Sequence, residues 1–385
     1  MHKRYLMAPG PTPVPERARL VMARQLIHHR GGDFKEIMAE VRRGLKWLFQ
    51  TESEVLTLTC SGTGAFEAGM INFTSPGDTI ICIGGGKFGE RWGGVGRAYG
   101  MNVVDVEVEW GEHVDPSRLE SVLEKHGDAT LVTLTASETS TGVIHPVEEL
   151  AKVVRDKSKA LFAVDGITAV GVHDIPMDQW GIDVLVAGSQ KAFGIPPGLG
   201  FVAAGQRAWE RAGDEGHPRF YFDLRRERKR QKDNQTAFTP AISVVLALRE
   251  VLTMMQEEGK EALWERHRRN AEATRAGVQA LGLRLLAKRC SDAVTAALTP
   301  KGIAAPEVAA AMLADQGVTI AGGQKHLREN LIRIGHIGFF EASDIRMALG
   351  ALEQVLRKLG CDVEPGAGLA AAQAVFATSS NPVND

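Results

Sequence analysis

The sequence predicts an α/β protein with a large domain, built on a mostly parallel sheet, and a smaller C-terminal α+β domain. Two observations support the large domain: short β-rich runs alternate with helical stretches, and several of these runs are apolar on both faces. Strands that are buried on both faces are typical of a parallel sheet covered by helices. A second series of strands and helices after residue 255 predicts the smaller domain.

The first elements are an extended arm and two helices. Residues 1–15 are expected to be extended, because Pro9, Pro11, Pro13 and Pro15 each fix a backbone angle and remove a hydrogen-bond donor. From residue 16 to residue 49 the apolar side chains recur at spacings of three and four, which predicts helices with a break near residues 30–32.

The sheet of the large domain follows. Six runs are predicted as its strands: 55–59, 79–83, 102–108, 130–135, 161–164 and 184–187. The stretch 147–157 between two of them has the length of a right-handed crossover helix. The large domain is therefore expected to occupy residues 16–255.

The smaller domain is expected at residues 256–365. Its predicted elements are a helical stretch over 243–281 with a break near Gly259, strands at 283–287, 293–298, 318–321 and 331–334, and helices at 305–316 and 342–359. Residues 366–385 are small and polar with little periodicity, so a disordered tail or a frayed helix is expected there.

The composition narrows the classes of function. The 385 residues include 45 Lys plus Arg and 47 Asp plus Glu, and the resulting net charge of −2 argues against a nucleic acid as the partner. A hydrophobic fraction of 44% and a charged fraction of 24% are those of a globular protein with ample core. Neither a secretory signal pattern nor a bilayer-spanning run is recognisable, so we expect a cytoplasmic protein without a membrane partner.

Metal and disulfide chemistry are not expected. The four cysteines, at positions 60, 82, 290 and 361, lie too far apart in sequence for a Cys-x-x-Cys pair. His28 and His29 are adjacent but have no third ligand nearby in sequence. The charge run 225–230 predicts a solvated surface or, alternatively, a cleft mouth that attracts anionic substrates.

Three local patterns point to chemistry. Residues 60–65, Cys-Ser-Gly-Thr-Gly-Ala, follow a strand and open a helix, where free backbone amides and the helix dipole favour an anion such as a phosphate. A plain strand-to-helix turn remains the alternative, because the P-loop lysine is missing. Asp165 ends an apolar strand, where ligands of open α/β sheets bind; the alternative is a helix cap. Lys191 follows the next strand, and an amine there can form a Schiff base.

The combination of these patterns is more informative than each one alone. A lysine for an aldehyde, an acid for a pyridine nitrogen and a glycine cradle for a phosphate are the three parts that pyridoxal 5'-phosphate (PLP) requires. The sequence resembles the class V aminotransferase family of fold type I PLP enzymes, in its alanine:glyoxylate and serine:glyoxylate (serine:pyruvate) branch. The resemblance runs from residue 9 to about residue 338 and rests on these motifs, all in the family's order: Pro9-Gly10-Pro11-Thr12, His29-Arg30-Gly31, Ser61-Gly62-Thr63-Gly64-Ala65, Glu138-Thr139-Ser140-Thr141-Gly142, Asp165-Gly166, Ser189-Gln190-Lys191, Phe238-Thr239-Pro240 and Arg333-Ile334-Gly335.

The resemblance implies a role for each motif. It implies a seven-stranded sheet, Lys191 as the Schiff-base lysine and proton carrier, Asp165 beside the pyridine nitrogen and Thr139 near the phenolic oxygen. Arg333 would bind the substrate carboxylate, and Gly10 would line the substrate pocket. The other implied cofactor contacts are Ser61, Gly62, Thr63 and Gln190 at the phosphate, Phe88 on the ring where relatives have Trp, Thr239 reaching the phosphate from a neighbouring subunit, and Thr236 where some relatives have Tyr.

The activity implied by the resemblance is ping-pong transamination from a small amino acid, alanine or serine, to glyoxylate, in a homodimer with shared sites. Aspartate as the donor remains an alternative. A cysteine desulfurase would need a mobile cysteine, and Cys290 is interpreted as structural. A non-catalytic scaffold is a further alternative, which the retention of Lys191, Asp165 and Arg333 disfavours.

Overall fold

The computed structural model describes residues 4–213 and 216–378 of the chain. Its strands are β1 (Tyr5–Leu6), β2 (Val55–Leu58), β3 (Thr79–Ile83), β4 (Asn102–Val106), β5 (Leu131–Thr135), β6 (Ser137–Glu138), β7 (Val143–Ile144), β8 (Leu161–Asp165), β9 (Val184–Gly188), β10 (Gly200–Ala204), β11 (Arg284–Leu285), β12 (Val294–Leu298), β13 (Val318–Thr319), β14 (Ala321–Gly322) and β15 (Leu331–Gly335).

Its helices are α1 (Glu16–Met22), α2 (Gly32–Phe49), α3 (Gly62–Ile71), α4 (Gly89–Ala98), α5 (Pro116–Lys125), α6 (Val147–Lys157), α7 (Met177–Trp180), α8 (Gln206–Arg211), α9 (Leu224–Gln231), α10 (Ile242–Glu258), α11 (Lys260–Ala280), α12 (Ala305–Gln316), α13 (Ala342–Lys358) and α14 (Ala367–Thr378). Among the helices so described, none combines the length and the apolar content needed to cross a bilayer.

A seven-stranded sheet forms the centre of the large domain, in the order β2-β10-β9-β8-β5-β3-β4. All neighbours are parallel except β10, which runs antiparallel to both β2 and β9. The prediction of a mostly parallel seven-stranded sheet is confirmed, and the six strands predicted from the pattern all belong to it. The pattern missed β10 because three of the five residues in its Gly-Phe-Val-Ala-Ala run, the glycine and the two alanines, are depleted in strands.

The register of the sheet places polar residues side by side at one edge. Thr135 at the end of β5 is paired with Asp165 at the end of β8, and Asp165 is paired with Val186 of β9. Because parallel strands end at the same edge of a sheet, the segment 189–191 that follows β9 starts beside Asp165. Apolar clusters cover both faces of the sheet, so this edge is where polar side chains collect.

The smaller unit has its own antiparallel sheet, in the order β11-β12-β15-β14, packed with helices α11 to α14 around a second apolar core. The single strand predicted at 318–321 is wrong: it is two short strands with Ile320 between them. One of them, β14, pairs with β15, while β13 pairs in parallel with β1 of the N-terminal arm. The arm is thus attached to the smaller unit through a separate two-stranded sheet.

Of the two states expected for the tail, disorder is wrong for residues 367–378: they form helix α14, and this helix is packed on the domain and not frayed. This helix packs against α11 and α13, and it buries Ala372 and Phe376 in the second core. The close approach is possible because small residues face each other: a Cβ added at Gly277 would lie 3.1 Å from the Gly368 carbonyl oxygen. The small residues of this segment favour a helix as well as disorder, because Ala is the best helix former. The rest of the predicted tail, 379–385, lies outside the described residues.

Candidate active site

A cleft opens at the carboxyl ends of β5, β8 and β9, where the register collects the polar residues. The side chains and backbone that line it come from Ser61, Gly62, Thr63, Phe88, Arg91, Thr135, Ser137, Thr139, Asp165, Ile167, Thr168, Gln190 and Lys191. Eight of these thirteen positions were predicted as cofactor contacts from the sequence.

The N-terminus of α3 forms one wall. Ser61 precedes the helix with extended backbone angles, φ −77° and ψ 167°, and its side chain does not cap the helix. A Cβ at Gly62 would lie 2.8 Å from Cδ1 of Ile167, so the backbone can stand at this distance from the opposite wall only without a side chain. Free amides at a helix N-terminus favour an anion.

Gln190 lies next to this wall with an unsatisfied polar atom. Its Oε1 is buried and has no hydrogen-bond partner, and the same holds for Oγ1 of Thr135. Both residues line the cleft. Buried polar atoms without hydrogen-bond partners are costly. These two atoms therefore favour a polar molecule in the cleft.

Asp165 is the last residue of β8 and is buried, with 5% of its surface exposed. Its Oδ1 accepts a hydrogen bond of 2.8 Å from the Ile167 amide. Burial raises the pKa of Asp165 to about 7, and the charge of Glu138 acts in the same direction. The carboxyl group therefore holds a proton more firmly than an ordinary aspartate does, until a cationic partner arrives.

Lys191 follows β9 and enters the cleft from the side of the N-terminal arm. Its Nζ donates a hydrogen bond of 2.7 Å to the Pro9 carbonyl oxygen, and the Thr12 hydroxyl donates one of 2.9 Å to the Lys191 carbonyl oxygen. Burial, together with the charge of Arg333, lowers the pKa of Lys191 to about 8, against the opposing charge of Asp165. A larger neutral fraction makes this amine a better nucleophile than a surface lysine.

Arg333 reaches the site from the middle of β15 and is buried, with 6% of its surface exposed. Its Nε donates to the Gly322 carbonyl oxygen at 2.9 Å, and its Nη1 donates to the Thr139 carbonyl oxygen at 3.1 Å. These two bonds fix the plane of the guanidinium and join the smaller sheet to the cleft. The hydroxyl of Thr139 in turn donates to Oγ1 of Thr168 at 3.2 Å.

Phe88 forms the flat apolar wall at the start of α4. The Arg91 guanidinium lies 4.8 Å from the centroid of the Phe88 ring, and its Nη1 donates to the Thr63 hydroxyl at 2.8 Å. A cation thus stands at the helix N-terminus that is predicted to hold the phosphate. Arg91 was not predicted as a lining residue. Its position three residues after Phe88 in a helix places the two side chains on the same face, so it could have been predicted.

Four further lining residues were missed: Thr135, Ser137, Ile167 and Thr168. Thr135 lines the cleft because the sheet register pairs it with Asp165, and a single sequence does not reveal this register. Ile167 could have been found, because it follows Asp165 by two residues at a strand end.

Two predicted phosphate contacts lie elsewhere. Thr236 and Thr239 line a separate recess, together with Thr59 and Tyr221. Within one chain they do not meet Lys191. The Thr236 hydroxyl is engaged locally, donating to the Phe238 carbonyl oxygen at 2.6 Å.

Cys290 and the paired histidines lie outside the cleft. Burial raises the pKa of Cys290, which disfavours the thiolate, and its Sγ lies 3.5 Å from the Ala287 carbonyl oxygen. The rings of His28 and His29 are tilted against each other at 5.0 Å between centroids. Over residues 4–213 and 216–378 no three His, Cys, Asp or Glu side chains form a group that could hold a metal ion.

A lysine and an acid beyond neighbouring strands, a glycine anion cradle and a mostly parallel seven-stranded sheet define the class of fold type I PLP enzymes. The family model for class-V aminotransferases matches residues 5–347. The chain belongs to the class V aminotransferase family, as its sequence predicts, and is thus a PLP-dependent aminotransferase.

Curated relatives carry different names. The chain is 44% identical to a protein of Synechococcus sp. (strain PCC 6716) called soluble hydrogenase, small subunit, over 98% of this chain and 99% of that one. It is 32% identical to the L-aspartate–glyoxylate aminotransferase of Paracoccus denitrificans, and 32% identical to the serine–glyoxylate aminotransferase of Methylorubrum extorquens, in each case over 96% of this chain and 95% of the relative.

Solved structures agree in fold over nearly the whole chain. The ureidoglycine-glyoxylate aminotransferase of Bacillus subtilis superposes with a TM-score of 0.92 at 30% identity, covering 98% of this chain and 99% of the other. The alanine–glyoxylate aminotransferase of Nostoc sp. gives a TM-score of 0.89 at 29% identity, covering 93% and 96%.

Proposed function

We propose that this aminotransferase moves the amino group of a small amino acid, alanine or serine, to glyoxylate, giving glycine and a 2-keto acid by a ping-pong mechanism. The observation that carries the proposal is the cleft in which Lys191, Asp165 and the N-terminus of α3 meet. The names of the Methylorubrum serine–glyoxylate aminotransferase and the Nostoc alanine–glyoxylate aminotransferase support glyoxylate as the acceptor and serine or alanine as the donor.

The residues of the cleft fit PLP. The amides of Gly62 and Thr63, with the Ser61 hydroxyl and the side-chain NH2 of Gln190, are donors that suit its phosphate. Phe88 and Ile167 offer apolar surfaces for the ring. Asp165 would pair with the pyridine nitrogen and Thr139 would lie at the phenolic oxygen.

Each residue contributes a distinct step. The bound cofactor supplies an electron sink for the substrate carbanion and carries the amino group between the two half-reactions. Lys191, with its pKa lowered to about 8, accepts the proton from the substrate Cα and delivers it to the C4′ atom of the cofactor. Asp165, whose burial favours a shared proton, keeps the pyridine nitrogen protonated. Arg333 binds the α-carboxylate, because its guanidinium group is already oriented by hydrogen bonds to two carbonyl oxygens.

The visible absorption spectrum of the purified protein tests this function. We expect a band from the lysine-bound cofactor, bleached by alanine or serine and restored by glyoxylate. Aspartate and cysteine are added separately as alternative donors. Bleaching by aspartate alone would replace the proposed donor, and absence of the band after added PLP would reject the function and favour a scaffold.

A homodimer with shared sites would bring Thr239, and with it Thr236, to the cleft of the partner subunit. The separate recess of these residues within one chain supports this proposal. Mixing K191A and T239V subunits provides the test: if sites are shared, half of the sites in each mixed dimer carry both substitutions and the other half carry neither, so activity returns. A monomer that transaminates in sedimentation experiments would refute the shared site.

The name of the Synechococcus relative suggests a second role as a hydrogenase subunit. Thiolate-bound iron centres need clustered cysteines, whereas all four cysteines here are free and no metal-binding group is found in residues 4–213 and 216–378. We therefore favour transamination over a hydrogenase role. The four free cysteines also fit a reducing cytoplasm. Hydrogen-dependent dye reduction by the purified chain would contradict this choice.

A cysteine desulfurase is disfavoured by the surroundings of Cys290. Its half-buried thiol has a raised pKa and does not line the cleft. Alanine release from cysteine that is lost in the C290A variant would overturn this assignment.

A further inference from the structure

Glu138 is a completely buried carboxylate beside the active-site cleft, with 0% of its surface exposed. Its Oε2 accepts hydrogen bonds from the amides of Phe88 at 3.0 Å and Gly89 at 2.9 Å. Its Oε1 accepts from the amide of Ser140 at 2.9 Å and from the Ser140 hydroxyl at 2.5 Å. None of the roles proposed above uses this acid.

Burial raises the pKa of Glu138, and its four hydrogen bonds, all donated to it, oppose that effect and favour the ionised carboxylate. Two of the donors are the amides at the start of α4, whose preceding residue Phe88 offers no side-chain cap. A carboxylate at a helix N-terminus satisfies free amides and interacts favourably with the helix dipole. Glu138 thus caps α4 from a different part of the chain.

Ser140 extends the same contact. Its hydroxyl accepts a hydrogen bond of 3.0 Å from the Lys87 amide while donating to Glu138. Three consecutive amides, 87–89, are therefore held by the segment 138–140. The contact is tight, because a Cβ at Gly86 would lie 2.3 Å from Cγ and Cδ of Glu138. A shift of the acid must move the turn that carries Phe88.

The other side of Glu138 leads to the substrate site. Thr139 is the next residue, and its carbonyl oxygen accepts the hydrogen bond from Arg333. Burial lowers the pKa of Arg333, and the negative charge of Glu138 opposes that effect. One buried acid is thereby connected to the stacking ring, the phenolic-oxygen contact and the carboxylate-binding arginine.

We propose that Glu138 is a positioning residue for the reaction: it ties the turn that carries Phe88 to the segment that carries Thr139, and so fixes the ring and the hydroxyl against the cofactor. The inference rests on the proposed PLP site. Binding of PLP by the unsubstituted protein tests that function, and the comparison of variants with it tests the inference.

The E138Q variant keeps the shape but replaces one acceptor oxygen by an NH2 donor, which must face at least one of the four donors. We expect the circular dichroism of the visible cofactor band, per bound cofactor, to fall at least twofold. We also expect the Kd for PLP to rise about 10-fold and kcat to fall at least 10-fold, with thermal unfolding still cooperative. These optical readouts report cofactor orientation, which a purely structural role would leave unchanged.

D183N is the matched control. Asp183 is also a buried carboxylate that accepts a backbone amide, from Phe162 at 2.8 Å, but it does not line the cleft. We expect D183N to lower the melting temperature without changing the circular dichroism of bound cofactor.

A milder variant guards against loss of folding in E138Q. S140A removes one donor to Glu138 and the acceptor for the Lys87 amide, and we expect it to shift the dichroism and the Kd in the same direction by two- to threefold. If E138Q and S140A lower the melting temperature while both readouts match the unsubstituted holoenzyme, Glu138 is only structural and the inference is wrong. If the unsubstituted protein binds no PLP, the proposed function fails first and takes this inference with it.

Discussion

The Nζ atom of Lys191 donates its hydrogen bond to the carbonyl oxygen of Pro9, 2.7 Å away in the N-terminal arm. The same arm joins the smaller sheet, since the Gly335 amide donates to the Met7 carbonyl oxygen at 2.7 Å and β1 pairs with β13. The proposed catalytic lysine is thus covered by a segment whose position depends on the smaller domain. Changes in the arm are therefore expected to reach the chemistry directly.

Gly10 gives the sharpest test of this contact. Its φ is +129°, which favours glycine, and a Cβ there would lie 2.3 Å from Nζ of Lys191. We expect G10A to slow cofactor attachment and to lower kcat at least 10-fold, measured by the rise of the visible band and by steady-state rates. Strain alone is controlled by G100A, where φ is +74° and no atom lies within 4 Å of the added Cβ. If both variants slow attachment equally, contact with the lysine is not the cause.

The pH dependence of cofactor attachment reports the amine of Lys191. With its pKa lowered to about 8, the neutral amine becomes dominant above that pH, so the attachment rate of the cofactor-free protein should rise with pH and level off near pH 9. Stopped-flow absorbance from pH 6 to 10 measures this rate. K191A should form no covalent bond that borohydride can trap, whereas the exposed Lys157 can be replaced by Ala without effect. A rate that still rises steeply at pH 10, as for a lysine with the ordinary pKa of 10.5, would contradict the burial argument.

Site residues whose position depends on neighbouring residues in the chain were predicted, and those whose position depends on distant strands were not. Lys191, Asp165 and the 61–63 turn lie at or shortly after the ends of buried strands, so continuous apolar runs and the strand-end rule were enough to predict them. The residues that were missed, such as Thr135, depend on pairing between strands distant in sequence. For helix α14 the sequence left a frayed helix as one alternative, but its packing against α11 and α13 depends on contacts that no local pattern encodes. The positions of Thr236 and Thr239 remain a prediction about a second subunit.

Asp165 should make the stability of the cofactor-free protein depend on pH. Its pKa is about 7 in the folded chain against the ordinary aspartate value of 3.8, so between these values the folded state binds more protons than the unfolded state. Stability therefore falls as pH rises from about 4 to about 7, by up to about 4 kcal/mol from this group. Lys191 acts in a separate window, because its lowered pKa adds stability only as pH rises above about 8.

Urea unfolding of the cofactor-free protein and of D165N at several pH values measures this contribution. We expect D165N to become the more stable of the two as pH rises towards 7, because its amide does not ionise, whereas ionisation of the buried Asp165 carboxyl group is costly. Parallel curves for the two proteins would show that Asp165 does not hold a raised pKa. Added PLP should reduce the difference, since a cationic pyridine nitrogen stabilises the ionised carboxylate.

Phe376 tests whether helix α14 is an integral part of the smaller domain. Its ring is buried, with 5% exposed, and lies 5.1 Å from the Arg346 guanidinium, while the Phe376 carbonyl oxygen accepts a hydrogen bond of 3.0 Å from Arg269. Removal of a buried aromatic ring costs about 3 to 5 kcal/mol, so we expect F376A to lower the midpoint of urea unfolding strongly.

Leu369 on the same helix is the matched control, because 37% of its surface is exposed and its removal should cost about 1 kcal/mol or less. In both variants the visible cofactor band should remain unchanged below the unfolding transition, since neither residue lines the cleft. Equal and small losses in F376A and L369A would show that α14 contributes little to the core. A changed cofactor band in F376A alone would instead show that packing of the helix reaches Arg333 through the smaller sheet.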